Sequence, residues 1–265
     1  MYLAGFIGTG NMGGALAKAA ARSIGGEKIV LADHSAEKAG LLAEGIGACV
    51  KSAAEVAAES KYIFLGVKPQ ALAALAEEIA PVLKKRSDSF VIVTMAAGKS
   101  IDNISEILGA VYPTVRIMPN TPVSIGKGVV LYCANSLVGD IEEFLSVMKY
   151  AGELDELPER LIDAGCSVSG CGPAWVYMFI EALADGGVMC GLPRDKAVLY
   201  ACDTLIGSAE LVKATKKHCG LLKDEVCSPG GTTIAGVKAL EDNAFRGSVM
   251  GAVEAAYKKT LKLKK

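Results

Sequence analysis

Two short stretches of this chain carry residue types whose spacing could do chemistry. The first is Gly8-Thr-Gly-Asn-Met-Gly13, with Asp33 twenty residues after its last glycine. A tight turn at Gly8, bare backbone at Gly10 and a close helix–strand approach at Gly13 are what a pyrophosphate needs at a strand–turn–helix junction. The free N–H groups at the head of the following helix, with the positive end of its dipole behind them, complete a phosphate site. Thr9, Asn11 and Met12 fill the turn. Asp33, followed by His34, stands where an acid bonds the ribose of a dinucleotide. These residues predict a site for NADPH or NADH. The second stretch is Ser228-Pro-Gly-Gly-Thr-Thr233. Ser228 reads as a helix N-cap and Pro229 as the first helical residue. Gly230 and Gly231 bare the backbone, and Thr232 and Thr233 add hydroxyls. Such a helix start forms an N–H cup suited to a small carboxylate.

The residues that are missing narrow the chemistry further. There are two histidines, His34 and His218, and neither lies near a serine or cysteine in a nucleophile motif. The eight cysteines form no C-x-x-C pair, so no metal site is expected. The segment Ser169-Gly-Cys-Gly-Pro-Ala-Trp175 holds no lysine, unlike the catalytic helix of the β-hydroxyacid dehydrogenases. A reductase without a strong acid or base suits a substrate that activates itself. A cyclic imine does so, because its protonated nitrogen makes the adjoining carbon electrophilic.

The elements that would position these residues follow from hydrophobic period. Residues 2–7 and 28–32 read as strands around a helix at 15–24, which is a βαβ unit. A helix is predicted from Ser35 to about residue 44, a strand at 45–50 and a short helix at 52–59. The apolar runs at 62–67 and 90–94 have the continuous character of strands buried on both faces. Helices are predicted after each, to about residue 80 and over 100–108, and two more strands at 115–118 and 128–132. Ligands in such sheets bind beyond the carboxyl ends of the strands. That edge would gather the Gly8 turn, Val67-Lys68-Pro69, Met95-Ala96-Ala97-Gly98 and Asn120 around one crevice. From residue 159 the chain reads as helix, over 161–191 with a break at Ser169-Gly-Cys-Gly-Pro173, then 194–217, 232–243 and 245–263. The expected class is α/β: an N-terminal Rossmann doubly wound parallel sheet over 1–158, followed by an all-α substrate-binding and dimerisation domain over 159–265.

Composition excludes other classes. Lys plus Arg (28) against Asp plus Glu (29) leaves a net charge of −1, which steers the chain to neither nucleic acid nor anionic membrane. The basic residues 258–265 end a predicted helix, where cations suit the dipole and water. No apolar run reaches membrane-spanning length. Met1 leads straight into the nucleotide-binding strand, so a cytoplasmic location and reduced thiols are expected. The apolar surface of the helical half exceeds what one short bundle can bury, which calls for a shared interface between subunits.

The sequence resembles the pyrroline-5-carboxylate reductases over its whole length. The likeness rests on Gly5-Phe-Ile-Gly-Thr-Gly-Asn-Met-Gly13, Val67-Lys-Pro69, Ala96-Ala-Gly98 and Met118-Pro-Asn-Thr-Pro122. In the helical half it rests on Ser169-Gly-Cys-Gly-Pro-Ala174, Gly191-Leu-Pro193 and above all Leu222-Lys-Asp-Glu-Val-Cys-Ser-Pro-Gly-Gly-Thr-Thr-Ile234. The resemblance implies reduction of (S)-1-pyrroline-5-carboxylate, a cyclic imino acid, to L-proline with NADPH or NADH. It implies that Ser228, Gly230, Gly231, Thr232 and Thr233 hold the substrate carboxylate, with Thr233 as the catalytic hydroxyl at the imine nitrogen. It also implies a homodimer through the helical domain and assembly into a larger ring, a decamer of dimers. The chain departs from the family pattern at three places. Asp33-His34 replaces residues suited to the 2′-phosphate of NADPH, so NADH is expected to serve at least as well. Lys216-Lys217 stands where relatives often place an acid. Cys171 replaces a common serine, a near-isosteric change.

Overall fold

The computed structural model describes residues 1–263; Lys264 and Lys265, the end of the basic tail, lie outside the described residues. The chain divides into two compact units: Met1–Cys171 together with the chain from Ala256 on, and Gly172–Ala255.

The first unit is an eight-stranded sheet in the order β3-β2-β1-β4-β5-β6-β7-β8. Its strands are β1 (Tyr2–Ile7), β2 (Ile29–Ala32), β3 (Cys49–Val50), β4 (Ser60–Leu65), β5 (Val91–Thr94), β6 (Thr114–Pro119), β7 (Gly128–Ala134) and β8 (Gly152–Glu156). The first six run parallel, whereas β7 is antiparallel to β6 and β8 parallel to β7. Strand order reverses between β1 and β4, the switch point at which such sheets take their ligands. Side chains alternate across the sheet. Phe6, Phe64 and Val93 enter one core with α1 (Asn11–Ile24) and α6 (Glu142–Met148). Ile7, Ile63, Leu65 and Ile92 enter a second core with α3 (Ala53–Glu59), α4 (Leu72–Leu83) and α5 (Ile101–Leu108). Burial on both faces is the physical reason these strands read as unbroken apolar runs. Phe6 stacks on Phe64 with ring centroids 4.2 Å apart.

Helix starts follow their caps. Ser35 accepts the Lys38 N–H at the head of α2 (Ala36–Ile46). Ser52 with Glu55, and Ser100 with Asn103, form reciprocal capping boxes on α3 and α5. The strand expected over 45–50 is shorter than that: α2 runs through Gly45 and ends at Gly47, whose φ of 72° supplies the left-handed cap. Only Cys49 and Val50 then pair with β2.

After β8, α7 (Glu159–Ser169) packs back on the sheet, with Ile162 against Met118, Leu131 and Cys133. It is anchored by a buried ion pair: Arg116 of β6 donates from Nη2 to Asp163 Oδ1 at 2.6 Å, both side chains 2% exposed. Glu159 Oε1 lies 3.3 Å from the Arg116 Nη1 and also accepts the Ile101 N–H at 2.8 Å.

The second unit is helical: α8 (Gly172–Met189), α9 (Arg194–Thr215), α10 (Cys219–Val226), α11 (Thr232–Asp242) and the first part of α12 (Phe245–Leu263). Its buried apolar residues are Ala184, Ala197 and Ala201. Val176, Tyr177, Met178, Leu183, Leu199 and Ile206 remain exposed in the single chain. Among the described residues no helix is long and apolar enough to cross a membrane.

Candidate active site

The glycine turn follows β1 directly. Gly8 sits at φ 98° and is tied by its N–H to the Ala32 carbonyl at 2.7 Å. A side chain at Gly8 would strike the backbone of Gly66 at 2.7 Å, and one at Gly13 would lie 2.0 Å from the Gly8 carbonyl oxygen. Gly66 belongs to the same arrangement: its N–H donates to the Ile7 carbonyl, and a Cβ there would fall 2.4 Å from the Gly8 oxygen. Sequence reasoning passed over Gly66, and its only signal was a glycine interrupting the buried run at 62–67. Gly10 is different. It is exposed, it is the N-cap of α1, and a Cβ there would meet nothing within 4 Å. No side chain caps α1, which opens at the exposed Gly10 and Asn11. That bare helix head fits a pyrophosphate. α1 starts at Asn11, four residues before the expected boundary, which puts Met12 and Gly13 inside its first turn.

Asp33 follows β2. Its Oδ2 accepts the Thr9 N–H at 2.6 Å and the Thr9 hydroxyl at 3.0 Å; its Oδ1 accepts the Ser35 N–H at 3.0 Å. His34 Nδ1 lies 2.9 Å from Oδ1, on a side chain that is 94% exposed against 6% for Asp33. Burial works to raise the Asp33 pKa, but the hydrogen bonds from Ser35 and Thr9, with the neighbouring His34, bring it below the usual carboxylate range.

The remaining candidates of this unit lie at the carboxyl ends of β4, β5 and β6. Val67 is half-buried and Lys68 exposed, the latter preceding a single helical turn that opens with Pro69. Ala96 is buried between the half-buried Met95 and Ala97, and Gly98 turns the chain at φ 74°. Leu263, at the end of α12, lies against Gly98. The Asn120 side chain is committed within the protein: Oδ1 accepts the Val129 N–H at 2.8 Å, and Nδ2 donates to the Ser169 carbonyl at 2.9 Å.

In the helical unit the cup differs from the expected form. Ser228 is not the N-cap of α11 and Pro229 is not its first residue. The chain from Ser228 to Gly231 makes a turn closed by the Gly231 N–H on the Ser228 carbonyl at 3.0 Å, with Gly230 at φ 67°. Proline at the second position and a left-handed glycine at the third are the signature of a type II turn, and a left-handed residue cannot continue a helix. The helix therefore begins at Thr232, behind Gly231 as its N-cap, without a side-chain cap. Ser228, Thr232 and Thr233 are exposed, and the Ser228 hydroxyl lies beside Gly231. His218, the residue behind Lys216-Lys217, caps α10 by accepting the Gly220 N–H at 3.1 Å.

A parallel sheet with this switch point, an uncapped glycine-bounded helix head and a clasped acid after β2 defines a nucleotide-dependent oxidoreductase of the Rossmann type. Residues 159–263 match the family model for pyrroline-5-carboxylate reductase dimerisation. Residues 4–98 match that for NADP oxidoreductase, coenzyme F420-dependent. The chain is 39% identical to the pyrroline-5-carboxylate reductase of Escherichia coli, over 98% of each chain. It is 38% identical to that of Pisum sativum, over 99% of this chain and 96% of the relative. The solved structure of Plasmodium falciparum pyrroline carboxylate reductase with NADP bound superposes with a TM-score of 0.90 at 33% identity, covering 100% of this chain and 98% of that one. The chain belongs to the pyrroline-5-carboxylate reductase family.

Proposed function

We propose that this protein reduces (S)-1-pyrroline-5-carboxylate to L-proline, the closing step of proline synthesis, using NADPH or NADH. The observation that carries the reading is the uncapped start of α11 behind the Ser228–Gly231 turn, in a chain that shares its family over nearly full length. The head of α1, with Gly8, Gly10, Gly13, Thr9, Asn11 and Met12, holds the pyrophosphate. Asp33 and His34 meet the adenosine ribose, while Val67, Lys68, Pro69, Met95, Ala96 and Ala97 border the nicotinamide end. Asn120 shapes that border through its two backbone bonds. When bound, the reduced nicotinamide supplies hydride to the imine carbon. The backbone N–H groups of Gly230 and Thr232, with the Ser228 and Thr232 hydroxyls, neutralise the substrate carboxylate, while Gly231, its own N–H closing the turn, keeps the cup free of a side chain. The Thr233 hydroxyl bonds the ring nitrogen and keeps the C=N bond oriented. No side chain has to abstract a proton from carbon, so orientation supplies most of the rate.

The exposed apolar faces of α8 and α9 support pairing of two chains through the helical unit, and such pairs build on into a decamer of dimers in the cytoplasm. Sedimentation at several protein concentrations checks the assembly. The activity is tested with purified protein, pyrroline-5-carboxylate and each reduced nucleotide, following nucleotide oxidation and proline formation. Thr233→Ala is expected to cut turnover severely while nucleotide binding holds. A protein that binds nucleotide but forms no proline with either cofactor overturns the assignment.

A further inference from the structure

We propose that Thr9 is the positioning residue that sets the choice between the two nicotinamide cofactors, by clasping Asp33 in the orientation that favours NADH over NADPH. The inference rests on the cofactor site described above and deepens it. A carboxylate offers about four acceptor positions. In Asp33 three are met by hydrogen bonds: the Thr9 N–H and hydroxyl on Oδ2 and the Ser35 N–H on Oδ1. These donors are backbone or part-buried and cannot leave without moving the glycine turn or the start of α2. The fourth position, on Oδ1, faces the His34 ring, whose Nδ1 lies 2.9 Å away on a side chain that is 94% exposed and free to swing aside. That open position is the one a ribose hydroxyl takes, as a donor to Oδ1. A 2′-phosphate has no proton to offer there. It brings a second negative charge of roughly −1.5 to −2 to a fixed carboxylate whose own donors all point inward. Without the Thr9 hydroxyl, Asp33 keeps a single anchor on Oδ2, and its side chain can rotate away from the phosphate.

The experiment titrates the protein with NADH and with NADPH, without imino acid, by calorimetry or nucleotide fluorescence. The parent protein is expected to bind NADH about tenfold more tightly, the loss of a charge-assisted hydrogen bond being of that size. Thr9→Val removes the hydroxyl and keeps the branched shape; it should weaken NADH about three- to tenfold, leave NADPH unchanged or tighter, and so collapse the ratio. Thr9→Ser should restore the ratio. Should Thr9→Val fail to fold, the same ratio is read on Thr9→Ala. Tighter NADPH binding by the parent, or equal weakening of both nucleotides in the variant, overturns the inference. Failure to form proline with the nucleotide ratio intact refutes the proposed reaction and leaves this inference standing.

Discussion

Gly231→Ala tests the substrate cup without touching a functional atom. Gly231 has φ −77° and ψ 174°, extended backbone that alanine adopts freely. The new methyl carbon would fall 2.4 Å from the Ser228 Oγ, 3.1 Å from the Ser228 carbonyl oxygen and 3.6 Å from its Cβ. The hydroxyl must therefore retreat by about 1 Å to reach ordinary contact, which a rotation about χ1 provides. That rotation, with alanine as a poorer N-cap than glycine, costs about 1–2 kcal/mol of stability, so the fold survives. The consequence for binding is larger. A hydroxyl bonded to a carboxylate ion contributes about 1.5–3 kcal/mol, equivalent to a roughly 10- to 150-fold rise in KM for the imino acid. Steady-state kinetics on Gly231→Ala, Ser228→Ala and the double variant decide the matter. Because both changes remove the same hydroxyl from the cup, the double variant should be no worse than either single one. An unchanged KM in Gly231→Ala, or losses that multiply in the double variant, would refute the role given to Ser228.

Other outcomes follow from the same geometry. Asp163→Ala strips Arg116 of its 2.6 Å partner and leaves the half-exposed Glu159 as its nearest carboxylate; thermal melts at fixed protein concentration should show a loss of about 3–4 kcal/mol. The apolar pair Arg116→Met with Asp163→Leu should recover most of it. Ala244 sits at φ 55° between α11 and α12, so Ala244→Gly should stabilise the chain by about 0.5–1 kcal/mol in the same melts. The pKa of Asp33 is lowered in the folded state, so its contribution is complete above the unfolded value of about 3.9 and is lost as pH falls through the lower folded value. Asp33→Asn should therefore melt below the parent at neutral pH, with the two curves converging in acid below about pH 4.

The βαβ unit, the buried runs that became β4 and β5, and the division into sheet and helices were legible because each depends on local period and on glycine spacing. Elements that lean on their surroundings were not. Strand β8, Gly-Glu-Leu-Asp-Glu, is an edge strand with mostly exposed side chains, so nothing in its composition separates it from a polar loop. Neither α6, whose N-cap is Ile141, nor α10, capped by His218, opens on a serine as α2, α3 and α5 do, so neither carries a start signal in its sequence. Ser228 read as a cap because serine before a proline and two threonines is a good local signal; the left-handed Gly230 outweighs it. The Arg116–Asp163 pair joins residues 47 apart, and the Thr9–Asp33 clasp joins residues 24 apart. The types at those positions were visible, but that one carboxylate is enclosed by a threonine is a property of the folded turn alone.

The crowding of Gly13 and Gly66 against the Gly8 carbonyl oxygen, and of Gly8 against the Gly66 backbone, bears on how this family can diverge. What stands in the way of a side chain at any of the three is main chain, which no compensating truncation elsewhere can clear. The three positions thus form a lock with no intermediate setting, closed to stepwise drift, whereas Gly10 faces empty space, and the fold alone would admit a side chain there. A lineage that abandoned its nucleotide would be free to let residue 10 wander first, while the other three stayed behind as a fossil of the turn.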